Sequence, residues 1–485
     1  MIKKKLSYEG EVLFTEHHES HAASAYFISP FEEAAILTVD GIGEWTSTTM
    51  GYAEGEDIEI FKEIHFPNSL GLLYSTFTAY LGFKVNNGEY KVMGMSAYGE
   101  PVYYDLIVDK LIDIKKDGSF ALNMDYFSYL YSQRMYNDKF DELFNNSKRN
   151  PEEKVKKVHF DIAASIQKVT EDVVLNLLDN LYNETDTKNL CMAGGVALNS
   201  VCNRRVIEES NFEHLYVQPD AGDGGGALGC AKFVYHTVLG NKKHCSNPRD
   251  EMQNAYIGPS YSEEEIKECL DENGIRYEKY DDGDKLVDKI AVQISEGNVL
   301  GIFHGRMEWG PRALGNRSIL ADPRDPNMKD KVNSKVKFRE WFRPFAPTVL
   351  WERWKEYFEI KGKDEEYPYM LVVAKVKEDK RAEIPAVTHA DGTARIQTIK
   401  REDNKFYYDI IDRFSELSGV PVVLNTSFNI RGEPIVCKPQ DAINTFLNSG
   451  MDILIMEKFM INKEEQTEEK REQWKIKREE YKNGR

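Results

Sequence analysis

An α/β architecture in two domains is the fold class that the sequence predicts. The first half repeats one unit, an apolar strand followed by a glycine-containing turn, in "AAILTVDGIG" (34–43) and "NLCMAGGVALNS" (189–200), with amphipathic helical segments between. The chain has 485 residues, more than one hydrophobic core usually serves. A polar, turn-rich passage, "NKKHCSNPRDEMQNAYIGPSYS" (241–262), then interrupts the pattern before a second mixed region begins. These observations set one domain over 1–245, a second over 246–465 and a charged tail over 466–485.

Taken in order, "HAASAYF" from His21 has helical character, and "FDIAASIQKVTEDVVLNLLDNLYN" (160–183) keeps helical spacing throughout. A further strand-to-glycine turn follows in "LYVQPDAGDGGGALGCA" (215–231). Units of this kind bind ligands beyond the carboxyl ends of their strands, so those turns are where functional side chains are expected. After the break come "NVLGIFHGRMEWGPRALGNRSILADPR" (298–324), "KFREWFRPFAPTVL" (337–350) and "VPVVLNTSFNIRGEPIV" (420–436). The closing "NKEEQTEEKREQWKIKREEYKNGR" (462–485) reads as a solvated helical tail without chemistry.

Composition narrows the function classes. An apolar fraction of 41% with 24 Phe and 26 Tyr supports real cores and argues against disorder. No stretch reaches the roughly 18 apolar residues of a membrane span, and "MIKKKLSYEG" has charge with no apolar run behind it, so a cytoplasmic protein is expected. Six cysteines (Cys191, Cys202, Cys230, Cys245, Cys269, Cys437) form no C-x-x-C pair; they are expected to be reduced and mostly buried. A net charge of −18 opposes nonspecific attraction to nucleic acid and favours a small-molecule substrate.

Three constellations carry candidate chemistry. His17 and His21 are four residues apart, so both imidazoles project from one helical face, and Asp40 at the end of the next strand completes a two-histidine, one-aspartate set for a divalent transition metal. "HESH" (18–21) falls one residue short of the zincin spacing, and the alternative is that these histidines cap a helix. Gly194, Gly195 and Asn199 in "AGGVALN", and Asp223 with Gly224 in "GDGGGALG", follow strands where backbone N–H groups can approach phosphates; the alternative is a pair of tight turns. The second half sets Arg306, Arg312, Arg317, Arg339, Arg343, Arg395 and Arg431 beside glycine and proline, with Lys337 as a further point charge and Asn425 and Ser427 as neutral hydrogen-bonding groups. A basic pocket for a phosphate or acyl phosphate competes there with a structural ion-pair network among the 81 acids.

"HHESHAASAYFISPF", "NSLGLLYSTFTAYLGF", "GEYKVMGMSAYGEP", "MAGGVALNS", "GDGGGALG", "GRMEWGPRALGNRSILADPR", "FREWFRPFAP" and "LNTSFNIRGEPIV" together resemble the O-carbamoyltransferases that act on aminoglycosides, cephalosporins and nodulation factors, over about residues 12–460. The resemblance implies an actin-like ATPase-type N-terminal domain, similar to threonylcarbamoyl-transfer enzymes, and a C-terminal domain similar to threonylcarbamoyl-adenylate synthases. It implies formation of carbamoyl-adenylate from carbamoyl phosphate and ATP (with Mg2+), then transfer to a hydroxyl of a small metabolite or sugar; the composition already argues for neither nucleic acid nor membrane as partner. By motif, His17, His21, Asp40 and Asp223 would hold a metal, expected to be iron. Asn199 with the Gly194, Gly195 and Gly224 turns would hold nucleotide, and Arg312, Arg343, Arg395 and Ser427 the carbamoyl phosphate or its adenylate, with Lys337 and Asn425 nearby.

Members of that family carry a further segment ahead of the double-histidine motif, with a Gly-His-Asp-Ala turn, whereas here the motif begins at residue 17. The expectation is an incomplete N-terminal domain, with a homodimer or a separate chain supplying the opening strands. Two alternatives are a tRNA threonylcarbamoylation-type enzyme and a non-catalytic nucleotide-binding remnant. Hydrogenase-maturation carbamoyltransferases are related, but their Cys-pair zinc segments are absent from this sequence.

Overall fold

The first half is organised around one five-stranded sheet. In chain order come α1 (His17–Tyr26), β1 (Glu33–Gly43), β2 (Thr46–Glu54), β3 (Asp57–His65), α2 (Leu70–Tyr80), α3 (Glu89–Ser96), α4 (Lys157–Thr185), β4 (Asn189–Ala193), α5 (Ser200–Glu209), β5 (His214–Val217) and α6 (Gly226–Phe233). This computed structural model describes residues 5–244, 252–361 and 366–472; Cys245, part of the expected linker and the tail from residue 473 lie outside them.

The sheet runs β3-β2-β1-β4-β5, antiparallel across β3, β2 and β1 and parallel from β1 through β4 to β5. Its central strand β1 is buried without a break from Ala34 to Val39, the near-continuous apolar run expected of a strand covered on both faces. Helix α4 reaches 29 residues because its apolar positions keep one face, with Ile162, Ile166, Val169, Val173, Leu177 and Leu181 all buried. That face packs on α2, α3 and α5. Helix α1 is buried from Ser20 to Tyr26, and its small residues Ala22, Ala23 and Ala25 let it lie directly on α6.

The second half contributes β6 (Glu278–Lys279), α7 (Gly283–Ser295), β7 (Leu300–Phe303), β8 (Arg317–Ala321), β9 (Ala346–Leu350), β10 (Phe358–Glu359), β11 (Val372–Val376), β12 (Thr393–Ile399), α8 (Lys405–Ser418), β13 (Val422–Ser427), β14 (Ile453–Met456) and β15 (Phe459–Asn462). Its strands form a mixed ten-stranded sheet in the order β10-β11-β12-β9-β13-β8-β7-β14-β15-β6, with α7 and α8 packed on each other. β13 is hydrogen-bonded between β8 and β9, setting Asn425 opposite Leu320 on one side and Ala346 on the other. Two hydrophobic cores result, and they interlock: Leu314, Phe342 and Tyr369 to Leu371 join the first core, while Ile207 of α5 joins the second.

The chain is thus a mixed α/β protein. None of the five described cysteines is disulfide-bonded. Only Cys191 and Cys202 are buried; Cys230, Cys269 and Cys437 are half-buried. Among the described residues no helix is long and apolar enough to cross a membrane.

Candidate functional site

At the carboxyl ends of β1, β4 and β5, four ligand-type side chains converge. The N–H of Glu16 donates to the Glu19 carboxylate at 3.0 Å, so α1 is capped by its own acids and not by its histidines. His17 and His21, one turn apart, face the same way with ring centroids 4.6 Å apart. His18 turns elsewhere, to the Thr38 hydroxyl at 2.6 Å and the Thr46 carbonyl at 3.0 Å, and burial followed by the neighbouring His21 and His17 charges pushes its pKa down to about 4.

β1 leaves its register with β2 between Val39 and Gly43, and this irregularity re-aims Asp40. Asp40 Oδ1 accepts the Gly195 N–H at 2.9 Å, while Oδ2 lies 3.2 Å from His17 Nε2 and 3.6 Å from His21 Nε2. Asp223, in the short turn before α6, sets its Oδ1 at 3.5 and 3.7 Å from the same two nitrogens. Gly194 makes this approach feasible: its φ is +90°, and a Cβ there would overlap the Val39 carbonyl oxygen.

One ligand atom from each of His17, His21, Asp40 and Asp223 lies within 4.8 Å of the others. His21 is 1% exposed, and neither of its ring nitrogens has a hydrogen-bond partner. Burial would lower its pKa, but the Asp223 and Asp40 carboxylates outweigh burial and raise it to about 9. Burial would likewise raise the Asp40 carboxyl, but His17 and His21 hold it well below the ordinary carboxylate range. Two carboxylates and two imidazoles around one point draw positive charge, and the orphaned His21 nitrogen fits a divalent cation bound by mixed nitrogen and oxygen donors.

A second centre is a cavity of about 780 Å³ between the two halves of the chain. Tyr90, Met93 and Gly94 of α3 and Ser200 of α5 line one side; Arg312, Arg339, Arg343 and Arg395 line the other. Burial drives the pKa of Arg395 and Arg339 well below the usual guanidinium range, assisted by the neighbouring guanidiniums, and that of Arg312 down to about 10. The Nε atoms of Arg312 and Arg395 are buried without a partner. Among the described residues no carboxylate pairs with Arg312, Arg339 or Arg395, and Arg343 has only Glu340 at 3.6 Å. Buried positive charge of this kind, uncompensated in so acidic a chain, calls for an anion.

The loop bearing Arg312 is held by Glu308, whose buried carboxylate accepts the N–H groups of Leu314, Asn316 and Arg317 at 2.8, 2.8 and 3.1 Å. Gly310, with φ of +99°, lies against the stretch that leads to Asp223; a Cβ on it would stand 2.9 Å from the Pro219 carbonyl oxygen. The loops of the two centres therefore touch.

The structure gathers His17, His21, Asp40, Asp223, Gly194, Gly195 and Gly224 at the first centre and Arg312, Arg343, Arg395, Lys337, Asn425 and Ser427 at the second. Lys337 gives its ammonium to Ser427 O and Oγ (2.7 and 3.1 Å) and to Asn429 O and Oδ1 (3.0 and 2.6 Å), tying down the end of β13. Asn425 Nδ2 donates to the Ala313 carbonyl at 3.2 Å, leaving its buried Oδ1 without a partner. Asn199 lines neither centre: it caps α5 by accepting the Cys202 N–H at 3.1 Å and pairs with Gln167. Arg306 and Arg317 also serve the scaffold, donating to backbone carbonyls, Arg317 over the Phe303 ring at 3.7 Å. Tyr90, Lys91, Glu308 and Glu340 were not legible as site residues; the only local signal was their place inside long motifs.

Two chemically distinct centres on one α/β chain describe an enzyme, and similarity supplies its class. Residues 1–232 match the carbamoyltransferase N-terminus and residues 291–463 the carbamoyltransferase C-terminus, so the chain belongs to the carbamoyltransferase family. It is 47% identical to the uncharacterized protein sll1178 of Synechocystis sp. over 98% of this chain and 81% of that protein. It is 38% identical to nodulation protein NolNO of Sinorhizobium fredii (93% of this chain, 64% of that one) and 37% identical to nodulation protein NolO of Bradyrhizobium diazoefficiens (92% and 78%).

Proposed function

We propose that the chain is an O-carbamoyltransferase that forms carbamoyl-adenylate in the arginine-lined cavity and delivers the carbamoyl group to a hydroxyl of a small metabolite or sugar at the His–Asp cluster. The observation that carries this reading is the set of guanidiniums facing one cavity, of which Arg312, Arg339 and Arg395 have no carboxylate partner among the described residues while Arg343 has only Glu340. Carbamoyl phosphate, ATP and water would give carbamoyl-adenylate, phosphate and pyrophosphate; the acceptor hydroxyl would then take the carbamoyl group and release AMP. Arg312, Arg339, Arg343 and Arg395 would offset the repulsion between two phosphorylated substrates and stabilise the charge that develops at phosphorus. Asn425 Oδ1, unpartnered beside Arg312's loop, would accept a hydrogen bond from the carbamoyl NH2. Lys337 would hold the end of β13, and with it Ser427, in place.

His17, His21, Asp40 and Asp223 would hold a divalent metal, iron in this reading, which when bound supplies Lewis acidity toward a carbonyl or hydroxyl oxygen. The Gly195 N–H orients Asp40 within this set, and the neighbouring glycine turns would offer backbone donors to nucleotide phosphates. The strand order β3-β2-β1-β4-β5, three antiparallel strands followed by two parallel ones, supports an actin-like reading of the first half.

Incubating the purified protein with ATP, Mg2+ and carbamoyl phosphate is expected to release pyrophosphate, and Arg312→Ala is expected to slow that release about 100-fold. A wild-type protein that releases none would overturn the adenylation step.

A further inference from the structure

Helix α3, from the first half of the chain, meets the segment 339–344 of the second half at three successive points. The Tyr90 ring lies under the Arg343 guanidinium, 4.6 Å from centroid to Cζ. Lys91 Nζ donates to Glu340 Oε1 at 2.8 Å, with both side chains largely buried at 17% and 20% exposure. Glu340 Oε2 in turn faces Arg343 Nη1 at 3.6 Å, and the Arg343 N–H donates to the Glu340 carbonyl at 3.2 Å. One turn on from Tyr90, Gly94 stands against the Pro344 ring. The Glu340 carboxyl is pushed down to about 2; burial opposes this, and the Lys91 hydrogen bond outweighs it.

Arg343 is thus gripped on its face by an aromatic ring and at its edge by a carboxylate that is itself anchored from the other half of the chain. A guanidinium left loose would lose much of its advantage in binding an oxyanion, because its fixed planar fork is what makes the bond directional. We infer that Tyr90 and Lys91 are positioning residues for Arg343, so that the anion-binding cavity is a composite site completed by α3 of the N-terminal half. This rests on the reading of that cavity as the place where carbamoyl phosphate and ATP react.

The test uses the full chain and two measurements. Pyrophosphate release from ATP and carbamoyl phosphate gives KM and kcat; calorimetric titration with inorganic pyrophosphate gives affinity without turnover. Tyr90→Leu and Lys91→Met are expected to raise the KM for carbamoyl phosphate or ATP about 10-fold and weaken pyrophosphate binding to match, with a fall in kcat smaller than that of Arg343→Ala. Tyr90→Phe and Lys91→Arg, which keep the ring and the charge, are expected to stay within about 2-fold of wild type. Tyr90→Met repeats the test at similar volume if Tyr90→Leu fails to fold. In the double variant Tyr90→Leu/Arg343→Ala the loss is expected to equal that of Arg343→Ala alone. Full additivity, or wild-type behaviour of folded Tyr90→Leu and Lys91→Met, overturns the inference. Wild-type protein that binds pyrophosphate but releases none sinks the adenylation reading while leaving the positioning role readable by calorimetry; wild-type protein that does not bind it sinks both.

Discussion

His18 and His21 are three residues apart on one helix and have opposite duties. His21 keeps both ring nitrogens unpartnered and faces two carboxylates; His18 spends both nitrogens on Thr38 and Thr46, pinning α1 to β1 and β2. His21→Gln is expected to lower bound divalent metal, measured by elemental analysis, at least about 10-fold with little loss of stability. His18→Leu is expected to keep the metal and to destabilise the fold by about 1–3 kcal/mol in thermal unfolding, since the Thr38 hydroxyl and Thr46 carbonyl lose a buried partner. The His17 and His21 pair was legible because helical spacing alone puts both on one face. The task of His18 was not, because its partners stand 20 and 28 residues away on strands whose register the helix cannot foretell.

At the scale of elements, the turn after β4 does the most with the fewest atoms. Gly194 lets that turn come against the end of β1, and the next N–H then fixes Asp40. Gly194→Ala combines a disfavoured φ with overlap on the Val39 carbonyl, and is expected to lose about 1–3 kcal/mol from strain alone, seen as a thermal midpoint lower by several degrees. Metal content should fall with it, because Asp40 loses its donor. The strand–turn–helix units and the long helix α4 were readable from apolar periodicity. The cap duty of Asn199 was not: the same residue after a glycine turn suits a phosphate ligand or a helix cap, and its contacts with the Cys202 N–H and the Gln167 amide appear only in the folded chain.

For the whole molecule, the cavity lies between the two halves, so an anion bound in it should stabilise both halves together. Pyrophosphate at about 100 times its Kd is expected to stabilise the folded chain by about 2.7 kcal/mol, read as a rise in thermal midpoint that Arg312→Ala removes. High salt should shrink the effect. The cavity's arginines were legible as a group because guanidiniums in turns stand out in so acidic a chain, but their neighbours Arg306 and Arg317 could not be told apart from them and serve backbone carbonyls instead. The contacts of α3 with residues 340 and 343 were not, since Lys91 and Glu340 are 249 positions apart and only the folded chain brings them together. The contact of Gly310 with Pro219 has a consequence for how such a protein can diversify. With no room there for even a methyl group, and with Arg312 two residues beyond and Asp223 four residues past Pro219, lengthening either loop would shift an arginine of the cavity wall or a carboxylate of the His–Asp cluster. Loops lengthened at the periphery of this joint would instead leave the spacing between the two centres as it is.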